Sequence, residues 1–339
     1  MTTTQAPAQI TSDRGRIVAL DVIRGVALCG IILVNIGPLT HFGYADDIHE
    51  PVNLGDASGW LQLLVQQRFF PIFALLFGIG FSIFLDSAAR KAPRPRVLLL
   101  RRLLLLLAIG IPFQFLQSGS ALLPFAVVGL LVLLPSTWLP RWVSAIAAAA
   151  LIIASLALFG GGNTLIPGMF LLGSALTRYG LVSGIGRSRR GSLVALIAFT
   201  AIAIPLTLWQ LTSIETSGFD VQSALSGLAT AGAYFSLLSL LMTTGASGLL
   251  QRAFAPLGTM ALTNYVSAAP LMLAAGALLD LPHETSWTPL LATAAVILLA
   301  QWLASTLWLR HFTQGPLEWL WRWGTWGRRR PLRQPVVAR

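Results

Sequence analysis

The chain has 339 residues, of which 55% are hydrophobic and only 10% charged, and its formal net charge is +11. Soluble domains carry about 25% charged residues, so this composition excludes an ordinary soluble globule and points to a membrane protein. The positive charge sits in alternate loops and in the tail RRRPLRQPVVAR rather than on a basic and aromatic soluble module, which excludes nucleic acid as a partner and favours anionic lipid headgroups.

In chain order, residues 1–16 read as a cytoplasmic N-terminal segment. The run from Ile17 to Pro38 contains Asp21 and Arg24 and exceeds the roughly 7–15 apolar residues of a cleavable signal, so it is expected to be a retained first span. Further spans are expected at about 60–85, 97–116, 121–135, 142–160, 164–181, 192–211, 224–246, 257–279 and 288–309, since about 20 apolar residues cross the hydrocarbon core as a helix. The fourth is short, and the eighth is rich in Gly, Ala and Ser, which suits close helix packing. Gly315 to Arg330, GPLEWLWRWGTWGRRR, reads as an interfacial helix with Trp at the boundary and Arg toward phosphate. The expected fold is all-α: a polytopic transmembrane bundle of about ten helices with a C-terminal interfacial helix. An N-terminal bundle is expected over 17–182, a C-terminal transmembrane region over 183–326 and a basic cytoplasmic tail over 327–339.

Loop charges give the orientation. Arg14 and Arg16 precede the first span, and Arg90, Lys91, Arg94 and Arg96 follow the second. Arg141, the Arg178 to Arg190 stretch, Arg252 and the tail fall on the same side of a ten-span chain. Asp46, Asp47, Glu50, Asp56, Glu215, Asp220, Asp280 and Glu284 fall on the other, with no basic residue among them. Cytoplasmic loops hold the excess of Lys and Arg, so the expectation is a multi-pass inner-membrane protein with both termini cytoplasmic.

Ionisable residues inside spans are costly and by default face the bundle interior. Asp21 and Arg24, three apart, share a helix face near the cytoplasmic end. They read either as an intrahelical pair snorkelling to the interface or as a ligand site, for which Gly25 leaves room. Arg68 lies about eight residues into the second span, roughly 12 Å from its outer end, too deep for easy snorkelling. Its partner is expected to be an outer carboxylate such as Asp56, a carbonyl cluster or an anionic ligand. His41 follows the first span, with Asn35 before it. Asn35, His41, Arg68, Gln114 and Gln117 fall at outer span ends, while Thr263, Asn264 and Tyr265 lie level with Asp21 and Arg24. Two polar clusters, one per leaflet, suit a reaction or transport path across the bilayer. Cys29 is the only cysteine, and His49, His283 and His311 show no ligand spacing, so no disulfide, metal site or firmly bound cofactor is expected.

Five segments together resemble the YeiB-like family of bacterial membrane proteins. They are LDVIRGVALCGIILVNI (Leu20 to Ile36), FPIFALLFGIGFSI (Phe70 to Ile83), GMFLLGSALTRYGLV (Gly168 to Val182), APLGTMALTNYVSAAPLM (Ala255 to Met272) and GPLEWLWR (Gly315 to Arg322). The opening LDxxRG helix is also similar to acyltransferase-three and heparan-glucosaminide N-acetyltransferase-like enzymes, which move acyl groups from donors such as acyl-CoA to sugars. Asn35 stands where the acyltransferase-three pattern has a His. The glucosaminide-type enzymes have Asn there and a His further along the outer loop, a place open to His41 or His49. The resemblance also marks departures: in GIPFQFLQSGSALLPF, Ser120 replaces the Asp of an SGDIL-like turn and the His usual in that region is missing, and Thr259 replaces an Arg.

The resemblance implies an acyltransferase acting on an envelope sugar or lipid, with acyl-CoA as donor. His41 would then be the base, Arg68 and Asn35 would stabilise the oxyanion, and Arg24, with Asp21 and Asn264, would hold the donor's anionic part. The alternatives are a transporter or flippase of an anionic solute, with Arg68 and Arg24 as waypoints, and a non-catalytic membrane protein.

Overall fold

A computed structural model of the chain describes residues 8–43, 52–216, 218–329 and 331–332, with side chains from 18 onward. Asp46, Asp47, His49 and Glu50 lie outside the described residues, as do Arg14, Arg16 and Arg330 in their side chains and the last seven residues. Among the described residues there is no strand. The helices are α1 (Ala8–Thr40), α2 (Ala57–Leu64), α3 (Phe69–Ala89), α4 (Pro95–Leu116), α5 (Leu122–Val128), α6 (Arg141–Phe159) and α7 (Ile166–Arg178). They continue as α8 (Arg189–Leu211), α9 (Val221–Leu241), α10 (Ser247–Thr259), α11 (Ala261–Leu278), α12 (Trp287–Leu309) and α13 (Pro316–Trp326).

Among the described residues, eight segments are long and apolar enough to cross a membrane: α1 from Val18, α2 with α3, then α4, α6, α8, α9, α11 and α12. The chain is a multi-pass membrane protein. The other two expected spans are shorter. Residues 122–138 divide into α5, a π turn at Gly129–Leu133 and a 3-10 turn opened by Pro135, which has no N–H to continue the ladder. Helix α7 has 13 residues and starts only after Gly160, Gly161 and Gly162, all at positive φ. A further difference is a separate helix, α10, ahead of the ninth expected span. A break at Met260 divides it from α11, so the ninth expected span begins at Ala261.

Burial is inverted relative to a water-soluble helix bundle. Helix α8 exposes Val194, Ile197, Ile202 and Leu208 while burying Ser192 and Gln210. Apolar side chains facing outward over a whole helix match lipid as the solvent, and the polar ones turn inward to find partners.

Glycines set the closest helix crossings. A Cβ on Gly25 would strike the Phe254 carbonyl, and one on Gly258 would strike the Asp21 carbonyl, so α1 and α10 meet backbone to backbone. Gly78 and Gly173 do the same for α3 and α7. All four lie in the segments that carry the family resemblance.

The connections gather at two ends. At one, Arg96 donates to the Thr137 hydroxyl and carbonyl, and Arg178 donates to the Leu139 carbonyl. At the other, Gln67 accepts from the Gly162 N–H and donates to the Gly218 carbonyl. These are called the basic and the acidic end. The acidic residues also have a local task, because Asp56 and Asp220 cap the N-termini of α2 and α9. Carboxylates favour helix N-termini, so the same charges serve capping and sidedness.

Candidate functional site

Two cavities lie back to back along the bundle. The basic-end cavity, about 340 Å³, is enclosed by α1, α3, α4, α11 and α13. The acidic-end cavity, about 480 Å³, lies between α1, α3, α5 and the turns before α7 and α9. Phe73, Leu122, Phe125 and Tyr265 line both. These four side chains form the partition between the two cavities.

The basic-end cavity is cationic. Arg24, Lys91, Arg102 and Arg322 line it, with Glu318 as its carboxylate. Arg24 is held by Asp21 at 2.8 Å, three residues back on α1, and also reaches the Gly258 carbonyl at 3.3 Å. Glu318 is fully engaged elsewhere. It accepts from the Leu262 and Thr263 N–H groups at 2.7 and 3.0 Å and from the Thr263 hydroxyl at 2.5 Å, capping α11 from α13.

Arg102 is held by aromatic rings. Its guanidinium lies 3.8 Å from the Trp321 ring centroid and 4.8 Å from that of Phe84, and no carboxylate pairs with it among the described residues. Arg24 and Arg322 are both near enough to repel it. Aromatic faces hold a cation in place without neutralising it, so the cavity retains attraction for an anion.

The acidic-end cavity has no charged lining residue. Its polar groups are the side chains of Asn35, Gln67, Asn163 and Tyr265. Gln67 is spent on Gly162 and Gly218, and it holds a left-handed φ of 58° at the break between α2 and α3. The Asn35 amide has no protein partner among the described residues and is open to a ligand. At the partition, the Tyr265 hydroxyl is 3.2 Å from Ser120 Oγ and accepts from the Ala121 N–H at 3.2 Å.

The residues expected from the sequence are thus divided. Asn35 lines the acidic-end cavity and Arg24 the basic-end cavity, with Asp21 behind Arg24. His41 is exposed beyond the end of α1 at φ 53° and lines neither cavity. Asn264 is buried away from both. Its amide donates to the Leu257 carbonyl and Ser305, and its own carbonyl accepts from Gln301, so it clasps α10, α11 and α12 together.

Arg68 is fully buried. It donates to the Gln62 and Gln66 carbonyls at 3.0 and 2.6 Å, to Gln210 Oε1 at 2.7 Å and to Ser226 Oγ at 3.1 Å. Of the three partners considered for it, the carbonyl cluster is the one found. Asp56 is occupied by Asn53 and Ser58. Arg68 lines neither cavity, but its neighbours Gln67 and Phe69 line the acidic-end one.

Arg102, Arg322 and Tyr265 carry more of the site than the sequence reading gave them. A signal was present for the tail helix: Glu318, Trp321 and Arg322 recur at i, i+3 and i+4 and share one face. Both departures from the family pattern fall beside the cavities. Ser120 touches Tyr265, and the Thr259 hydroxyl points to Asp21 at 3.5 Å.

A family described as a protein of unknown function, DUF418, matches residues 176–328. An uncharacterised 39.9 kDa protein from the amylase 3′ region of Bacillus acidopullulyticus is 30% identical, over 94% of this chain and 96% of its own length. The uncharacterised protein YeiB of Escherichia coli (strain K12) is 30% identical, over 91% of this chain and 95% of its own. The uncharacterised protein YxaH of Bacillus subtilis (strain 168) is 32% identical over a shorter stretch, 37% of this chain and 34% of its own.

Proposed function

Starting from the chain's membership of the YeiB-like family, we propose that it is a membrane acyltransferase that passes an acyl group from an anionic cytoplasmic donor to an acceptor on the other side of the membrane. The observation that carries this reading is the partition: a cationic cavity and an uncharged one share Phe73, Leu122, Phe125 and Tyr265. A donor such as acyl-CoA would place its phosphates against Arg24, Arg102 and Arg322 and thread its acyl thioester toward the partition. An envelope sugar or lipid would present its hydroxyl or amine among Asn35, Asn163 and Tyr265. The basic end faces the cytoplasm of the inner membrane in this reading.

The step itself balances simply. The acceptor oxygen or nitrogen bonds to the acyl carbon, the carbon–sulfur bond breaks, and the acceptor proton ends on the departing thiol. The Asn35 amide is the group available to hydrogen-bond the developing oxyanion. Arg68 serves by positioning the wall residues Gln67 and Phe69, because its guanidinium is committed to Gln62, Gln66, Gln210 and Ser226. His41, the base expected from the sequence, lies just beyond the end of α1 and lines neither cavity.

A second reading, passage of an anionic solute, is favoured by one observation: no histidine is among the residues lining either cavity. One experiment separates the two. Proteoliposomes receive labelled acyl-CoA on the basic-end side and envelope extract on the other. A labelled acceptor product, reduced at least tenfold in Arg102→Gln and in Asn35→Ala, supports acyl transfer. Accumulation of an intact labelled anion without product overturns it in favour of transport.

A further inference from the structure

A third cavity of about 610 Å³ lies outside this path, between α7 and the α8–α9 hairpin. We propose that it holds one acyl chain of an anionic phospholipid from the basic-end leaflet, whose phosphate is bound by Arg187, Arg189 and Arg190.

The crevice opens at the α7–α8 connection, where Ser188 and Gly191 line it, and runs along α8 to Phe199. Eleven residues of helix measure roughly 16 Å at 1.5 Å per residue, close to half of a hydrocarbon core about 30 Å thick. The crevice is therefore as deep as one leaflet. Its walls are Ile72, Leu75, Leu172, Leu176, Leu228 and Phe235, and such a surface gains nothing from water.

The headgroup end has matching charge. Arg187, Arg189 and Arg190 are exposed and have no ion-pair or hydrogen-bond partner for their side chains among the described residues. They lie immediately around Ser188, at the level where a phosphate would sit above a chain in the crevice. Clusters of this kind attract anionic headgroups.

The hairpin's attachment explains why a space exists there. At the acidic end α8 and α9 are tied to the bundle by Arg68 through Gln210 and Ser226, by Gln62 through Ser223, and by Gln67 through Gly218. Toward the basic end the polar ties are small: Ser239 accepts from the Gly186 N–H and pairs with Ser192, which joins the hairpin to its own leading loop. A lipid chain would complete the packing that the protein leaves open against α7.

The test uses the full chain purified in neutral detergent and stripped of lipid, with phosphatidylglycerol, phosphatidylcholine and palmitate as probes. Native mass spectrometry reads the bound lipid, and thermal unfolding reads its effect. Phosphatidylglycerol is expected to bind one to one and raise Tm, with little effect of the other two. Replacing Arg187, Arg189 and Arg190 together by Gln, all at exposed positions, should weaken it roughly tenfold or more. Ala195→Phe, which fills the crevice from α8, should abolish the Tm response. Equal responses to phosphatidylglycerol and phosphatidylcholine, binding of palmitate in place of phospholipid, or unchanged binding in the triple variant would each overturn the proposal.

Discussion

The guanidinium of Arg68 is fully buried; its two terminal nitrogens make four hydrogen bonds to neutral oxygens on α2, α8 and α9 and in the α2–α3 break, while its Nε has no partner among the described residues. Removing it leaves the buried Gln62 carbonyl and Gln210 side chain and the half-buried Gln66 carbonyl without this donor, at about 1–3 kcal/mol for each unmet buried group. Arg68→Leu should therefore lower the thermal stability of the detergent-solubilised protein by about 3 kcal/mol or more. Arg68→Lys should recover little of it, since an ammonium cannot span the same fork of acceptors. A variant that unfolds at the wild-type temperature yet loses activity would instead make Arg68 a direct participant in the reaction. The sequence revealed that Arg68 was special through its depth alone, because charge inside a span is conspicuous. Its partners were hidden, being backbone carbonyls and neutral side chains that carry no pattern. Arg102 was hidden for the opposite reason. It sits beside Arg101 on α4, close behind the cations of the α3–α4 connection, and only the rotation of α4 turns one of the two toward Trp321 and Phe84.

The α1–α10 and α3–α7 crossings lie in the family segments, and α11 meets α13 through Glu318 and through the Leu317 N–H, which donates to the Thr263 hydroxyl. Glu318 satisfies two free N–H groups of the first turn of α11 and the Thr263 hydroxyl, while Trp321 donates to the Arg102 carbonyl at 2.7 Å. Thus α13 is tied to both α4 and α11, which form two walls of the cationic cavity. Glu318→Gln keeps the shape but exchanges a charged acceptor for a neutral one, and charge-assisted bonds are roughly twice as strong as neutral ones. The expected cost is about 1–2 kcal/mol, read as faster proteolysis between α12 and α13 and weaker anion binding, with the rest of the bundle intact. Unchanged proteolysis would mean that α13 is held mainly by its tryptophans. The long helices were legible from hydropathy because the bilayer fixes their length. Helix α10 was not, since Pro256 and Gly258 obscure its pattern and its apolar residues run on into α11. The short α7 and the divided 122–138 segment were legible as apolar runs, but their brevity depends on packing against longer neighbours.

At the scale of the whole molecule, charge partition and cavity partition describe the same axis. Arg96 and Arg178 at the ends of α4 and α7, and Arg187 in the α7–α8 connection, belong to the end with the arginine-lined cavity, and Asp220 and Glu284 to the end whose cavity has no charge. If positive loops are retained in the cytoplasm, the cationic cavity opens toward the compartment that holds phosphorylated, anionic small molecules, and the uncharged one opens away from it. The single cysteine makes this directly measurable. In a Cys29→Ser background, Glu284→Cys, half-buried in the α11–α12 connection, marks the acidic end and Ser183→Cys, exposed in the α7–α8 connection, the basic end. A membrane-impermeant maleimide added to intact cells should label Glu284→Cys at once and Ser183→Cys only after the membrane is opened. The reverse pattern would place the arginines outside and remove the cytoplasmic donor from the proposed reaction. Labelling of both from one side would contradict the separation of the two ends, because Tyr265 and Phe125 would then divide two cavities facing the same compartment.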